Sequence, residues 1–229
     1  MRYPLVLRRP DMEPLIAGRV DSTQFKIIVD AVERSLYIHR MNKKPTDTRE
    51  KILKTAEQLI YQNGIHATGM DLLVKTSGVA RKSIYRHFIN KEEVAAAALN
   101  ARDERWMYWF RTESDKGETP QDRILNMFTA LKSWFETEDF RGCAFINTAG
   151  EVGDPADPVR LIAKRHKQNV LDYTLELVGQ LNIENPDVLA RQLLILIEGA
   201  ITLAYVMGDS SAADNGREMA KLLLKQACS

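Results

Sequence analysis

From Thr48 onward apolar residues recur every three or four positions and almost never alternate, which predicts helices and no strands. The first helix is expected from about Thr48 to Asn63, with Ile52, Leu53, Ala56, Leu59 and Ile60 as its inward stripe and Gly64 as its stop. The stretch Thr68 to Lys91 then reads as two short helices around a tight turn, followed at once by a third. Asp71 stands three residues after Thr68, the spacing of a capping box. Leu72, Leu73 and Val74 supply an apolar face, and Ser77-Gly78-Val79 breaks it where a sharp turn needs a residue that accepts positive φ. The next helix, about Ala80 to His87, places Ile84 and Phe88 four apart so that one side packs inward. Arg81, Lys82, Ser83, Tyr85, Arg86 and His87 are left on or near the outer side.

Beyond this point the pattern stays helical. An alanine-rich helix is expected from Lys91 to Phe110, ending in Trp106, Tyr108, Trp109 and Phe110. SDKGETP (114–120) is a linker, and Pro120 suits the first turn of a helix carrying Ile124, Leu125, Phe128, Leu131, Trp134 and Phe135. Gly142, Gly150 and Gly153 bracket a short helix. After Asp157-Pro158, one side of the next helix carries Val159, Ile162, His166, Val170, Tyr173 and Leu177. The helix from about Asp187 to Met207 is apolar nearly all round and reads as too short to span a membrane, with Arg191 and Glu198 interrupting it. A helix without a polar face needs cover on every side, so a second copy of the chain is expected against it, with Gly199 and Ala200 permitting close approach. GDSSAADNG (208–216) reads as a loop, and Arg217–Gln226 as a last helix with Met219, Leu222 and Leu223 facing in.

Residues 1–40 follow no sustained period and are broken by Pro4, Pro10 and Pro14, although Ser22–His39 has helical spacing. Residues 1–45 therefore read as an N-terminal extension, disordered or arising from a start codon placed upstream of Met41. A DNA-grasping arm built on Arg2, Arg8 and Arg9 is the less favoured alternative.

Charge sharpens the division. The chain carries a net +1, yet residues 41–91 hold ten Lys/Arg against four Asp/Glu, a local +6, while residues 92–229 hold fifteen against twenty-two, a local −7. A basic head on an acidic body is the electrostatic layout of a nucleic-acid-binding module joined to one that does not touch nucleic acid. Catalytic, phosphate-loop and dinucleotide motifs are missing, and the four histidines and two cysteines lack metal-ligand spacing, so neither an enzyme nor a metal or other cofactor is expected. Cys143 and Cys228 cannot form a disulfide framework, and nothing resembles a secretion signal, so the cytoplasm is expected. Cys143 follows a glycine near a helix start and near Arg141, a setting in which a thiol can act as a redox or electrophile sensor; a buried structural cysteine is the commoner case and the favoured one.

Ile52, Ala56, Leu59, Gly64, Thr68, Met70, Asp71, Gly78, Val79, Tyr85, His87, Phe88, Lys91 and Glu92, at their mutual spacing, resemble the DNA-binding domain of the TetR/AcrR family of bacterial transcriptional regulators. The sequence departs from the family pattern at Gly69 and Ala80, where a Ser or Thr and a capping Ser are usual, and at Leu72 and Val74. The resemblance implies an all-α fold: a three-helix helix-turn-helix domain over 46–92 joined to a helical effector-binding and dimerisation domain over 93–229. It also implies a regulator, most simply a repressor, that binds a palindromic operator in double-stranded DNA as a homodimer through its last two helices and is released by a small-molecule effector. Arg81, Lys82 and Ser83 are then expected to read base edges, and Thr68, Tyr85, His87 and Lys91 to hold phosphates, with Gly69, Ala80 and Arg86 in the same surface. Trp106, Trp109, Phe110, Phe128, Cys143, His166 and Tyr173 are the expected walls of the effector site. The alternatives are an enzyme or ligand carrier that retains a helix-turn-helix, and a DNA-binding protein without an effector.

Overall fold

The computed structural model describes residues 48–228, so the extension at 1–45 and the helix expected at Ser22–His39 lie outside the described residues. Within them the chain forms nine α-helices and no strand: α1 (Thr48–Asn63), α2 (Met70–Ser77), α3 (Arg81–His87), α4 (Lys91–Ser114), α5 (Pro120–Phe135), α6 (Ala144–Glu151), α7 (Pro158–Val178), α8 (Pro186–Met207) and α9 (Ala212–Ala227). Local chemistry sets most of the ends. Thr119 and Asp122 form a reciprocal capping box with Pro120 at the first helical position of α5. The Asn90 side chain caps α4 by accepting from the Glu93 N–H at 2.8 Å, and Asp157 does the same for α7 from Val159 at 2.7 Å.

The first three helices pack on a small core of Ile52, Ala56, Leu73, Val79, Ile84 and Phe88. Helix α4 leaves that core and enters the larger body, where it packs on α1, α5 and α7. In the body α5 is central, touching α4, α7, α8 and α9, with Ile124, Met127, Phe128 and Leu131 all but sealed from solvent.

Three local expectations are corrected. No capping box opens α2: its N-cap is Gly69, which has no side chain, while the Thr68 hydroxyl turns back to donate to the Gly64 carbonyl at 2.7 Å. Helix α9 starts at Ala212 and faces inward with Ala213, Gly216, Ala220 and Leu224, leaving Met219 and Leu222 exposed. Small residues let it lie close on α5, and a Cβ at Gly216 would stand 2.9 Å from Phe128, so that glycine is a packing residue and not a loop residue. Helix α8 is long and apolar enough by length and composition to cross a membrane, at 22 residues and a mean hydropathy of 1.6. Only one side of it is buried, through Leu189, Ala190, Leu193, Ile197, Ala200, Ile201 and Ala204; Val188, Ile195, Leu203 and Val206 remain exposed.

Candidate functional site

The turn between α2 and α3 is built by two residues. Gly78 adopts φ 64°, ψ 13°, in the left-handed region, and its N–H closes α2 on the Val74 carbonyl. Ser77, buried, accepts from the Val79 N–H through its side-chain oxygen at 3.2 Å. This sets the angle at which α3 leaves, and Ile84 and Phe88, 0% and 3% exposed, root that helix in the core. Its outer face is therefore fixed. Arg81, Lys82, Tyr85, Arg86 and His87 are exposed, and Ser83 is half-buried. Ala80 is the N-cap of α3 and supplies no side-chain acceptor. Gly69 has open space where a side chain would stand.

Two features were not legible in the sequence. Arg81 donates through Nη2 to Asp71, so one cation of the recognition face is held by a carboxylate from α2. Ile89, just past α3, is 83% exposed. Thr68, in contrast, is 5% exposed and its hydroxyl proton is committed to Gly64, which leaves it none to donate to a phosphate. Lys91 sits half-buried at the start of α4.

In the body, the seven residues expected around an effector separate into two groups. Trp106, Cys143 and His166 line one internal cavity of about 10 Å³ together with Arg102, Trp134, Phe145, Lys167, Glu198 and Ile201. Phe110, Phe128 and Tyr173 are instead core residues, each no more than 1% exposed, and Trp109 packs edge-on against Trp106 and Trp134. The cavity wall is aromatic: Trp106 stacks on Phe110 at 4.7 Å, and Phe145 stacks on the His166 ring at 3.8 Å.

The chemistry of that wall is charged. His166 Nδ1 lies 2.7 Å from Asp103 Oδ1, both buried, and Asn169 donates to the other carboxylate oxygen at 2.8 Å. Lys167 Nζ is 3.2 Å from Cys143 Sγ and 2.6 and 2.8 Å from the Glu198 oxygens. Burial pushes the Cys143 thiol up, but the Lys167 ammonium and a hydrogen bond with His166 outweigh it and hold the thiol at about 7. Arg141, which the sequence pointed to, is exposed and is not what lowers it. Burial likewise pulls His166 down, and Asp103 and Cys143 more than restore it, so it ends above its ordinary value. Among the described residues no group of three His, Cys, Asp or Glu is placed to hold a metal.

Comparison with known proteins fits this geometry. Residues 52–98 match the model for bacterial regulatory proteins of the tetR family, and residues 120–220 match the tetracyclin repressor-like C-terminal domain. The HTH-type transcriptional regulator YjdC of Escherichia coli (strain K12) is 24% identical over 78% of this chain and 94% of its own. The HTH-type transcriptional repressor NemR of the same organism is 30% identical over 55% of this chain and 64% of its own. Among solved structures, a TetR-family transcriptional regulator from Streptomyces coelicolor superposes with a TM-score of 0.74 at 25% identity, covering 79% of this chain and 96% of that one. A tetr-transcriptional regulator from Streptomyces avermitilis gives 0.72 at 29% identity, covering 80% and 98%.

Proposed function

The chain belongs to the tetR family of bacterial regulatory proteins, as a helix-turn-helix transcriptional regulator, and from that premise we propose a cytoplasmic, homodimeric repressor that grips a palindromic duplex and is released by a small molecule. The observation that carries this reading is the outer face of α3, a row of cationic and hydroxyl-bearing side chains held rigid by buried Ile84 and Phe88. Such a helix enters a major groove as a unit. Arg81, Lys82 and Ser83, nearest its N-terminus, are assigned to base edges. Tyr85, Arg86, His87 and Lys91 are assigned to phosphates. The apolar strip left exposed on α8, joined by Met219 and Leu222 of α9, is assigned to the second copy. Pairing α8 and α9 with their symmetry mates covers surface that one chain cannot cover.

The test is a comparison of Lys82→Ala and Lys91→Ala on duplexes recovered by selection from random DNA. Lys82→Ala is expected to relax base preference at a cost of roughly 1–3 kcal/mol. Lys91→Ala is expected to weaken all duplexes alike and to flatten the salt dependence. Identical behaviour of the two variants across the library would refute the division of roles, and failure of the parent protein to select any duplex would refute the reading itself.

A further inference from the structure

We propose that the surface groove between α6 and α7 is the effector site and takes a small amphipathic carboxylate, a single anionic head on an unbranched apolar tail. The proposal rests on the reading above of an effector-released repressor; it names the effector class and the place where it binds.

The first support is space. The internal cavity beside Trp106 measures about 10 Å³, room for about one water, and Phe110, Phe128 and Tyr173 fill the body next to it. The groove shares Phe145 and Lys167 with that cavity but lies on their outer side and holds about 360 Å³, within the range of small-molecule sites. Its long wall is α7 from Arg160 to Lys167, about 10 Å of helix, which suits a chain of about eight carbons.

The second support is the floor. Phe145 and Ala163 form a buried base, and Ile146 of α6 and Leu161 of α7 stand exposed above it. A single exposed apolar side chain is ordinary, but these two line one groove over a buried apolar base and make a continuous strip. An apolar tail laid along it removes that strip from water.

The third support is charge. Residues 92–229 carry a net −7, yet between Asp157 and Asp172 the chain places Arg160, Lys164, Arg165 and Lys167 with no acid among them. Among the described residues no acid lines the groove. The acids nearest along the chain are engaged elsewhere: Asp154 and Asp157 accept from the Ala156 and Val159 N–H groups at 2.8 and 2.7 Å. Lys167 is held by Glu198 at 2.6 and 2.8 Å. Lys164, in contrast, is exposed and has no ion-pair partner among the described residues. Arg160, one helical turn before it on the same face, uses Nη1 on the Ala149 carbonyl at 2.7 Å and has further N–H groups to donate. Two cations at the mouth of an apolar trough favour a carboxylate over a neutral or cationic head.

The fourth support is mechanical. Helix α6 is one wall of the groove, and both of its ends are tied to the DNA-binding unit. At the near end the Tyr61 hydroxyl of α1 accepts from the Arg141 N–H at 2.7 Å and donates to the Gly142 carbonyl at 3.0 Å. At the far end the Glu151 carboxylate accepts from the Ile65 and His66 N–H groups at 3.0 and 2.9 Å, in the turn that leads into α2. The Arg160 contact with Ala149 fastens the last turn of α6 to α7. A carboxylate that recruits the guanidinium competes for this fastening, and a tail between Ile146 and Leu161 presses the two helices apart.

Octanoate is titrated into the full-length protein by isothermal titration calorimetry below its micelle concentration, beside octanol and octyltrimethylammonium, which carry neutral and cationic heads on the same tail. Binding to a selected duplex is followed in parallel by fluorescence anisotropy. Octanoate should bind one per chain, and Lys164→Gln should weaken it about fivefold while leaving octanol unchanged. Leu161→Gln should weaken both alike, by about fivefold for a side chain that is half-exposed in the free protein. Saturating octanoate should lower duplex affinity, and Lys164→Gln should raise the octanoate concentration needed for release by the same factor. Equal binding of the three heads, or a Lys164→Gln protein that loses octanol as much as octanoate, overturns the carboxylate assignment. Octanoate held with unchanged duplex affinity overturns the effector role. A Leu161→Gln protein that sediments as a monomer where the parent is a dimer shows that a second copy covers the groove and overturns the site. If the parent selects no duplex, the repressor reading fails, while the calorimetry still decides what the groove binds.

Discussion

Asp71→Asn separates two meanings of the ion pair at the edge of the recognition helix. Asp71 is 94% exposed and Arg81 48% exposed, so the pair stands in water and its removal should cost less than about 1 kcal/mol of folding stability, the loss of a favourable acid at the start of α2 included. The consequence for DNA is larger. In the free protein the carboxylate already neutralises Arg81, so docking against a phosphate or a base must either break the pair or bring a negative charge toward the duplex. Replacing Asp71 frees one cation on a face that also carries Lys82 and Arg86. At low salt the expected gain is about 1 kcal/mol, roughly a fivefold tighter complex. One further counterion released should steepen the slope of log K against log salt by about 0.9, so the advantage shrinks by roughly 3.5-fold between about 50 and about 200 mM salt. Anisotropy titrations of both proteins at four salt concentrations measure this directly. A weaker complex with an unchanged slope and relaxed base preference would refute the reasoning and show that Asp71 aims Arg81 at a base.

Three further outcomes follow from the packing and the titrating groups. Ala80→Ser gives α3 the side-chain cap it lacks and should raise stability by about 1 kcal/mol, read as a higher Tm with DNA affinity retained. Gly216→Ala gains about 1 kcal/mol of helix propensity but drives a Cβ into Phe128, which is 1% exposed and cannot step aside; the net should be a loss of roughly 1 kcal/mol, whereas Gly150→Ala, with no atom within 4 Å among the described residues, should not lower Tm. Because the folded pKa of His166 lies above 6.5, its contribution to stability is complete below that value and is lost as pH climbs through the folded pKa. Cys143, held at about 7 against 9.0, contributes in the opposite sense, present above 9.0 and lost as pH falls through about 7. Asp103→Asn should therefore remove most of the His166 part of the pH dependence of the urea midpoint, and Cys143→Ser should remove the gain that sets in above about 7 together with the share of the His166 shift that the thiolate supplies; parallel curves for all three proteins would exclude the assignment. Arg102, Lys167 and Glu198 face the same cluster and are unchanged in these variants.

The helix-turn-helix was legible because everything that builds it is local: a 3.6-residue stripe, one glycine at a left-handed turn, and two apolar anchors four residues apart. The charged cluster was not, because Asp103, Cys143, His166, Lys167 and Glu198 lie on or beside four different helices and meet only once α4, α6, α7 and α8 are packed. A signal did exist. Asp103 falls four residues after Leu99 and four before Met107, on a stripe that is otherwise apolar, and Glu198 interrupts the greasiest helix in the chain. An acid on an apolar stripe needs a partner, and that requirement points to a cluster even when the partner cannot be named. The phase of α9 was misread for a related reason: periodicity weighs large side chains, and here the buried contacts are made by Ala and Gly because the helices approach too closely for anything else.

The cavity lined by Trp106 and His166 is tied to the helix-turn-helix unit twice, and the doubling constrains how the release proposed above can work. Helix α4 connects the two parts directly, since Arg102 and Arg105 both pair with Glu57 of α1 while Asp103, on the same turn, holds His166 in the cavity. Helix α6 connects them a second time through Tyr61 and Glu151. Arg102 belongs to both routes, because its guanidinium lies 3.8 Å above the Tyr61 ring and also lines the cavity. Two rigid links to one three-helix unit resist a simple tilt of either. A displacement of α6 relative to α4 would strain the Tyr61 and Glu151 contacts against the Glu57 pairs of α4. Two half-sites read on one face of a duplex are about 34–36 Å apart, so rotating each unit of a dimer misplaces both recognition helices together. By linkage, the energy that release removes from DNA binding is the energy by which DNA opposes occupation of the effector site.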